Sequence, residues 1–537
     1  MKTINTSIYT FENIIKEDCL YVDKTEYFYK LVTKKRGQFF MSRPRRFGKS
    51  LAISTLDAIF RGKRELFKGL KIYDMDYDWE EYPVVHIDFA RTVMTDKGTF
   101  ERSLGFDLDK IAEEYGVSCS DSSPGVKFKM LMNALKEKTG KDVVLLIDEY
   151  DKPLLDHMGS PEEAESWRKY MDSFYQVIKG SEKDIRFVFM TGVTKFAKVS
   201  IFSKLNNITD ITMHRDYSEM FGYTQDELLK YFDEYLEDAV KTGIKDRSGN
   251  PFSKEGLIDE IKRWYDGFKF SKYGKNVYNP VSIGQFMDNS YEFKNYWFST
   301  GTPTFLMELL KKNSITVEDV AKATIVSDSF EVFNVSELSG DRVNTDTIIE
   351  MLYQTGYLTL DGEVPGFLSE IYQLRFPNYE VETSFKENLV DAYMGQNPLS
   401  LGQKLYMSAS EGDTNEMMDL LSSYFAGFPY DIQIKAEKYY QSMVKVIFEM
   451  CGMDVSTEEK TNTGRIDAVL DAGDHLYIIE FKLNKTSDEA LSQIDDKKYA
   501  QKYILPAREK GLTVHKLGIN FSYAEGERNI TEWKEEL

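Results

Sequence analysis

Residues 38–51 read QFFMSRPRRFGKSL and join a short apolar run to a segment with helical periodicity. Gly48, Lys49 and Ser50 form the GK[ST] signature of a phosphate-binding loop, placed where a strand passes into a helix. Gly48 lets the backbone approach phosphates, Lys49 can reach the β and γ oxygens, and Ser50 offers a hydroxyl to Mg²⁺. The stretch therefore predicts a site for ATP and Mg²⁺.

The loop departs from the usual GxxxxGK[ST] pattern at its start. Arg43 stands where that pattern has its first glycine, and Pro44, Arg45 and Arg46 follow it. A rigid proline and three guanidinium groups can wrap a triphosphate, since arginine suits planar contacts with phosphate. The alternative is that RPRR is a solvated basic turn.

A second motif is the apolar run VVLLI at residues 143–147, which ends in Asp148 and Glu149. A carboxylate at the end of a buried strand can hold Mg²⁺ together with Ser50 and water, and the next carboxylate can polarise the attacking water. This is the pattern of a Walker B motif. Asp148 is therefore predicted as a metal and ATP ligand, and Glu149 as a catalytic residue.

A third apolar run, RFVFMTGVTK at residues 186–195, places Thr191 and Thr194 where related NTPases carry a polar sensor of the γ-phosphate. Either threonine could serve, and the alternative is a capping or turn role around Gly192. The residues predicted to bind ATP are Arg43, Pro44, Arg45, Arg46, Phe47, Gly48, Lys49, Ser50, Leu51, Asp148 and Thr191.

The fold class follows from the alternation of these runs with helical stretches. Strands are predicted at 38–42, 84–89, 143–147 and 186–191, and continuous apolar runs are typical of strands buried on both faces. The class is therefore α/β, with the parallel sheet of a P-loop NTPase. Predicted domain ranges are an NTPase core at 1–215, a helical lid at 216–320, a winged-helix-like connector at 321–400 and a C-terminal α/β domain at 401–537.

The C-terminal domain contains GRIDAVL at 464–470, the turn DAGD, and HLYIIEFKL at 475–483. Alternation places Glu480 and Lys482 on one face of the second strand, and hairpin pairing can bring Asp467 beside them. The two carboxylates would then bind Mg²⁺, while Lys482 orients water or stabilises negative charge on phosphate. The alternative is a cross-strand salt bridge.

The helical segment after this hairpin, DEALSQIDDKKYAQKY, adds candidates for the same site. Gln493 is predicted as a catalytic residue, and Tyr499 could also face the site. Lys497, Lys498 and Lys502 could supply positive charge for a nucleic-acid backbone.

Composition limits the classes of protein that fit. The 537 residues carry a formal net charge of −20, which excludes a generally basic nucleic-acid coat. Three scattered cysteines and five histidines without HExxH spacing give no disulfide framework or zinc motif. Without an apolar leader or a long apolar stretch, the expectation is a cytoplasmic protein with no membrane association.

The stretches RPRRFGKSL, LLIDEYDKPL, FMTGVTKFAKVSIFSKLNN, TGTPTFL and GRIDAVL with YIIEFKL closely resemble a large prokaryotic family. That family pairs an AAA-ATPase-like domain with a PD-(D/E)XK nuclease-superfamily domain. The resemblance covers nearly the whole chain and implies an ATP-binding module, of the kind used in signalling switches, coupled to a nuclease. Ile466 stands where the nuclease signature names proline, which leaves the metal-binding acids intact.

These patterns together favour an ATP-regulated, Mg²⁺-dependent nuclease that cleaves DNA or RNA, in which nucleotide state controls the Asp467 site. Slow regulatory hydrolysis of ATP is as plausible as rapid turnover. Two alternatives are a nucleotide-dependent binding switch without cleavage and an ATPase that remodels nucleic acid. The expected partners are ATP and a nucleic acid, with homo-oligomerisation left open.

Overall fold

The computed structural model describes residues 1–121, 123–158, 160–195, 207–246, 249–297, 304–313, 315, 317–326, 343–365, 370–394, 398–426, 437–451, 453–524 and 529–537. The stretches FAKVSIFSKLNN and TGTPTFL lie largely outside this part of the chain. The described chain forms two compact units, one of Met1–Gly301 with Ala323–Glu382 and one of Thr302–Lys322 with Thr383–Leu537.

Helices account for much of both units. They are α1 (Phe11–Lys16), α2 (Thr25–Val32), α3 (Lys49–Phe60), α4 (Lys97–Glu114), α5 (Pro124–Thr139), α6 (Lys152–Leu155), α7 (Pro161–Gly180), α8 (Gln225–Tyr231), α9 (Asp233–Thr242), α10 (Lys254–Tyr265), α11 (Pro280–Asp288), α12 (Thr304–Lys312), α13 (Val317–Ala321), α14 (Thr345–Thr355), α15 (Tyr379–Met394), α16 (Pro398–Glu411), α17 (Thr414–Ala426), α18 (Glu437–Met450), α19 (Ser487–Asp496) and α20 (Gln501–Lys510). No helix in the described residues is both long and apolar enough to cross a bilayer.

The strands form three sheets. They are β1 (Gly37–Ser42), β2 (Val84–Asp88), β3 (Val143–Asp148), β4 (Ile185–Gly192), β5 (Thr209–Asp210), β6 (Thr324–Val326), β7 (Thr359–Val364), β8 (Ile371–Arg375), β9 (Asp454–Lys460), β10 (Arg465–Ala472), β11 (His475–Leu483), β12 (Thr513–Phe521) and β13 (Ile530–Glu536).

The first unit is built on a sheet of order β2-β3-β4-β1-β5 in which all neighbours are parallel. Every residue of β1 and β3 is buried, as the continuous apolar runs predicted. One strand, β4, separates β1 from β3, so the carboxyl ends of all three meet at the same edge. The loop after β1, the carboxylates after β3 and the threonines after β4 are thereby brought together.

The first unit also contains a three-stranded antiparallel sheet of order β6-β8-β7. Helix α14 and the strands β7 and β8 lie within residues 321–400, the range predicted as a winged-helix-like connector. The side chain of Asn344 caps the start of α14 by accepting from the backbone N–H of Asp346, and Gly356 ends the helix with φ of +93°.

The second unit has a mixed sheet of order β13-β12-β11-β10-β9. Strands β10 and β11 form the predicted hairpin, and β11 pairs with β12 in parallel across the helices α19 and α20. A further antiparallel strand, β13, pairs with β12 and lies at the sheet edge. Its sequence, ITEWKEE, has the charged character that protects an exposed sheet edge.

Candidate functional site

The phosphate-binding loop has the backbone shape that its motif requires. Gly48 has φ of +87° immediately before α3, and Arg46 also lies in the left-handed region with φ of +67°. Lys49 is buried, and its Nζ donates hydrogen bonds to the carbonyl oxygens of Arg43 and Pro44, each at 3.2 Å. The ammonium group is thus held inside the loop, at the positive end of the helix dipole.

Asp148 and Ser50 meet at the end of the sheet, as predicted for a metal site. The two side chains are hydrogen-bonded, and Asp148 is almost fully buried. Burial, followed by the neighbouring charge of Glu149, raises the pKa of Asp148 to about 7, and the Ser50 hydrogen bond opposes that rise. A buried carboxylate beside a hydroxyl fits a Mg²⁺ ion that also binds water and phosphate oxygens, because the cation would restore the ionised form.

Glu149 completes this edge of the site. Its Oε1 lies 3.4 Å from Lys49 Nζ, and its φ of +51° places it in the left-handed region. Such backbone strain is commonly kept where the position of a side chain matters for function. The arrangement positions Glu149 beside the phosphate site, where it can polarise water.

A cavity of about 250 Å³ opens over the loop. From the loop it is lined by Arg46, Gly48, Lys49, Ser50 and Leu51, and Glu149 borders it as well.

The cavity is also lined by residues that no sequence motif marked. They include apolar and small residues from the N-terminus and from the start of α11, among them Ile4, Ile8 and Val281. A Cβ at Gly284 would lie 2.5 Å from a methyl group of Thr6, so glycine permits the close approach of the two segments. These residues carry no local motif, and only the tertiary structure reveals them.

Four loop residues predicted to bind ATP do not line the cavity, and two of them, Arg43 and Phe47, are buried in the core. Arg43 is 1% exposed and donates to the backbone carbonyls of Thr212 and Tyr217, with its guanidinium 4.2 Å from the ring centroid of Phe270. Phe47 packs edge-on against Phe268 and Phe270. The prediction that these side chains wrap a triphosphate is therefore corrected: burial assigns them to the core.

Pro44 and Arg45 also lie outside the lining of the cavity. Pro44 packs at the end of α14, where a Cβ on Gly356 would lie 2.6 Å from the proline ring. Arg45 is exposed, and its carbonyl oxygen accepts a hydrogen bond from the indole of Trp297. Of the RPRR run, Arg46 alone lines the described part of the nucleotide cavity.

Asp151 is a functional candidate that the sequence analysis overlooked. Its Oδ2 accepts hydrogen bonds from the backbone N–H groups of Val193 and Thr194 and from the Thr194 hydroxyl, at 3.0, 2.6 and 2.7 Å. The Thr194 hydroxyl is therefore already engaged. The hydroxyl of Thr191 is buried and has no hydrogen-bond partner among the described residues, which favours Thr191 as the sensor.

The hairpin of the second unit brings the predicted nuclease residues together. Ala468 pairs with Ile479, so Asp467 and Glu480 are adjacent at the next position of the register. Asp467 Oδ2 accepts a hydrogen bond of 2.8 Å from the backbone N–H of Phe481, which turns the carboxylate toward β11. Gln441 on α18 fixes the same strand by donating to the Asp467 carbonyl at 2.7 Å.

Lys482 and Gln493 close the same site around Glu480. Lys482 Nζ lies 3.1 Å from Glu480 Oε1 and 2.9 Å from Gln493 Oε1, while the Gln493 amide donates to Glu480. Burial raises the pKa of Glu480 to about 8, with a further contribution from Asp467, and Lys482 opposes the rise. A simple cross-strand salt bridge would not include the second carboxylate or the amide.

The Asp467 and Glu480 pair fits a divalent cation. Glu480 Oε2 is buried and receives no hydrogen bond from any described donor, although it lies in the field of Asp467. No cluster of three His, Cys, Asp or Glu side chains suited to a metal occurs in the part of the chain that the structure describes. Two carboxylates suffice for Mg²⁺, because this ion usually retains water and completes its shell with substrate phosphate oxygens.

The remaining residues of the predicted nuclease helix divide into core and surface. Tyr499 is buried in a hydrophobic cluster with Ile466 and Ile494, and its hydroxyl lies beneath Gly464. It therefore belongs to the hydrophobic core of the second unit. Lys497 and Lys498 are exposed, while Lys502 forms an ion pair with Glu459.

The fold and the two sites define a P-loop ATPase domain joined to a nuclease-type domain. Residues 5–202 match the family described as "Predicted AAA-ATPase", and residues 435–533 match the PD-(D/E)XK nuclease superfamily. The chain belongs to the family of AAA-ATPase-like proteins with a C-terminal PD-(D/E)XK nuclease-superfamily domain. A relative in Azotobacter chroococcum mcd 1, described as an uncharacterized protein in the vnfD 5′ region, is 34% identical over 533 residues, which cover 97% of this chain and 96% of the relative.

Proposed function

We propose that this protein is an ATP-binding, ATP-regulated nuclease that hydrolyses phosphodiester bonds in DNA or RNA with Mg²⁺. The observation that carries the proposal is the convergence of Asp467, Glu480, Lys482 and Gln493 at one end of the β10–β11 hairpin. An acidic pair, an amine and an amide within hydrogen-bond reach of one another form a site for phosphoryl chemistry.

Each side chain of the nuclease site has a distinct task. Bound Mg²⁺ would lower the pKa of a water ligand and neutralise charge on the scissile phosphate. Asp467 and Glu480 would hold the Mg²⁺ ion in place. Lys482 lies beside them and would donate a hydrogen bond to a phosphate oxygen or to the attacking water. Gln493 ties Lys482 to Glu480 and thereby limits the rotamers of both.

The nucleotide site supplies the regulatory half of the proposal. Lys49 would contact the β and γ phosphates, and Ser50 with Asp148 would hold a Mg²⁺ ion between them. Glu149 is 3.4 Å from Lys49, so an arriving γ-phosphate would compete for the same ammonium group. That competition suits a switch in which ATP binding, rather than rapid hydrolysis, is the signal.

The test measures Mg²⁺-dependent cleavage of labelled single-stranded and double-stranded DNA and RNA, with and without ATP. Asp467→Ala and Lys482→Ala should abolish cleavage, while Asp471→Ala, at an exposed position near the turn end of the same strand, should cleave as the wild type does. Lys49→Ala should remove the effect of ATP. Equal cleavage by the wild type and Asp467→Ala would end the nuclease proposal, and ATP binding without any cleavage would favour the binding switch.

A further inference from the structure

A second cavity of about 420 Å³ lies in the first unit, apart from the nucleotide cavity. Its walls come from the end of β1, from residues 210–215 and 270–273, and from the segment between α14 and β8. Its volume falls within the range of small-molecule sites in proteins. The two cavities share no lining residue.

The lining of this second cavity carries excess positive charge in a protein whose net charge is −20. Lys195 is paired with Asp210 at 2.7 Å, and Lys272 is paired with Glu370 at 2.5 Å. Two further cations line the cavity, Arg43 and Arg215, and neither has a carboxylate partner among the described residues. An anionic ligand in the cavity would balance this excess positive charge.

The excess positive charge is energetically unfavourable because Arg43 is buried. Its side chain is 1% exposed, its Nε has no hydrogen-bond partner in the described chain, and it donates to neutral carbonyls beside the ring of Phe270. The carboxylate whose charge acts on it, Asp210, is already ion-paired with Lys195. A buried cation that shares its counter-charge with a second cation is incompletely neutralised, and its field extends further in a low-dielectric interior than in water. An anion in the adjoining cavity would compensate it without touching the guanidinium.

Aromatic rings complete the chemistry of the cavity. Phe270, Tyr353 and Tyr273 line it, and Tyr273 is 65% exposed. Arg215 lies 5.5 Å from the ring centroid of Tyr273, so a guanidinium and a phenol face are presented together. This pairing suits a ligand that joins an anionic group to a planar ring.

We propose that this cavity binds a small anionic ligand bearing a planar ring, and that its occupancy changes the affinity of the nucleotide site. Arg43 and Pro44 line the second cavity, while their carbonyl oxygens hold Lys49 in the nucleotide site. A ligand that shifts these two residues therefore moves two acceptors of Lys49. The coupling rests on the proposed ATP binding, whereas the existence of the second site does not.

The test titrates 1-naphthyl phosphate and the four 5′-ribonucleoside monophosphates into the full-length protein by isothermal titration calorimetry. At least one probe should bind to the wild type, and Lys49→Ala should retain that binding because Lys49 lies in the other cavity. Arg215→Glu should weaken it about tenfold or more, since a charge-assisted contact becomes a repulsion. Arg64→Glu is the matched control, because Arg64 is also an exposed arginine over a tyrosine ring but lies outside the cavity.

Coupling is measured separately, as the dissociation constant of a fluorescent ATP analogue with and without the saturating probe. At a probe concentration that fills the wild-type site but not the weakened site of Arg215→Glu, the constant should change several-fold in the wild type and stay unchanged in the variant, because a ligand shifts a coupled site only while it is bound. Absence of binding by every probe, or binding lost in Lys49→Ala and kept in Arg215→Glu, would overturn the second site. Failure of the ATP analogue to bind would instead defeat the nucleotide half of the proposed function.

Discussion

Asp151 joins the end of β3 to the end of β4, because its carboxylate accepts from both the backbone N–H and the hydroxyl of Thr194. The carboxylate is fully buried, and burial, with the nearby Glu149, raises its pKa to about 6. Gly192 leaves the room that it needs, since a Cβ there would lie 2.4 Å from Asp151 Oδ1. The carboxylate that follows β3 thus fixes the Val193–Thr194 backbone and the Thr194 hydroxyl, which follow β4.

Asp151→Ala is expected to lower the free energy of unfolding by about 3 kcal/mol, because three buried donors would lose their acceptor. Thr194→Val removes a single hydroxyl and should cost about 1 kcal/mol. Urea denaturation monitored by circular dichroism measures both changes. Equal costs for the two variants would show that Asp151 does not carry this connection.

Arg43 gives a second prediction, which separates a structural from a phosphate-binding arginine. Arg43→Lys should destabilise the protein by about 2 kcal/mol or more, because an ammonium cannot reproduce the planar fork that reaches several carbonyls. Arg46→Ala should cost less than about 1 kcal/mol and should weaken ATP binding, since Arg46 lines the nucleotide cavity. Thermal unfolding and ATP titration of the two variants distinguish these outcomes. If Arg43→Lys is as stable as the wild type but loses affinity for ATP, Arg43 is a phosphate-binding residue and not a structural one.

Local patterns predicted the sheet and the hairpin because their causes are local. The run VVLLI is continuous because β3 is buried on both faces, and Glu480 and Lys482 share a face because side chains alternate along a strand. The order of β1, β3 and β4 then places Ser50 and Asp148 together. For these elements the sequence contains nearly all the information needed.

The burial of Arg43 and the apolar lining of the nucleotide cavity could not be predicted in the same way. An arginine in a basic run is normally solvated, and the partners that bury Arg43 come from residues 212–217 and 270. Val281 and Ile4 meet only through tertiary packing. The role of Asp151 could not be predicted either, because the groups that donate to its carboxylate belong to Val193 and Thr194, after the neighbouring strand β4.

Gln493 provides a third prediction, for the nuclease site. Gln493→Ala should lower kcat for oligonucleotide cleavage about tenfold with little change in KM, because the amide orients Lys482 and Glu480 without being required for substrate binding. Gln501→Ala, an exposed glutamine on the next helix, is the matched control. Steady-state kinetics at saturating Mg²⁺ measures both constants. A raised KM with unchanged kcat would instead assign Gln493 to substrate binding.

Glu380 gives a prediction for the dependence of stability on pH. Its carboxylate is fully buried in the first unit and accepts from the Ser282 hydroxyl at 2.8 Å and from the Trp297 backbone N–H at 2.7 Å. Burial raises the pKa of Glu380 from an ordinary 4.5 to about 7, and those two hydrogen bonds and Arg46 oppose the rise. The folded protein therefore holds this proton more tightly than the unfolded chain does.

Since the folded state binds more protons here, the contribution of Glu380 to the free energy of unfolding falls as pH rises from about 4.5 through about 7. Glu380→Gln mimics the protonated form, so at pH 8 it should be more stable than the wild type by on the order of 2 kcal/mol, with little difference at pH 4.5. Denaturant unfolding at several pH values measures the difference, with the exposed Glu65→Gln as the control. A difference that stays constant across this range, or that grows toward acid, would mean that Glu380 is ionised in the folded protein at neutral pH.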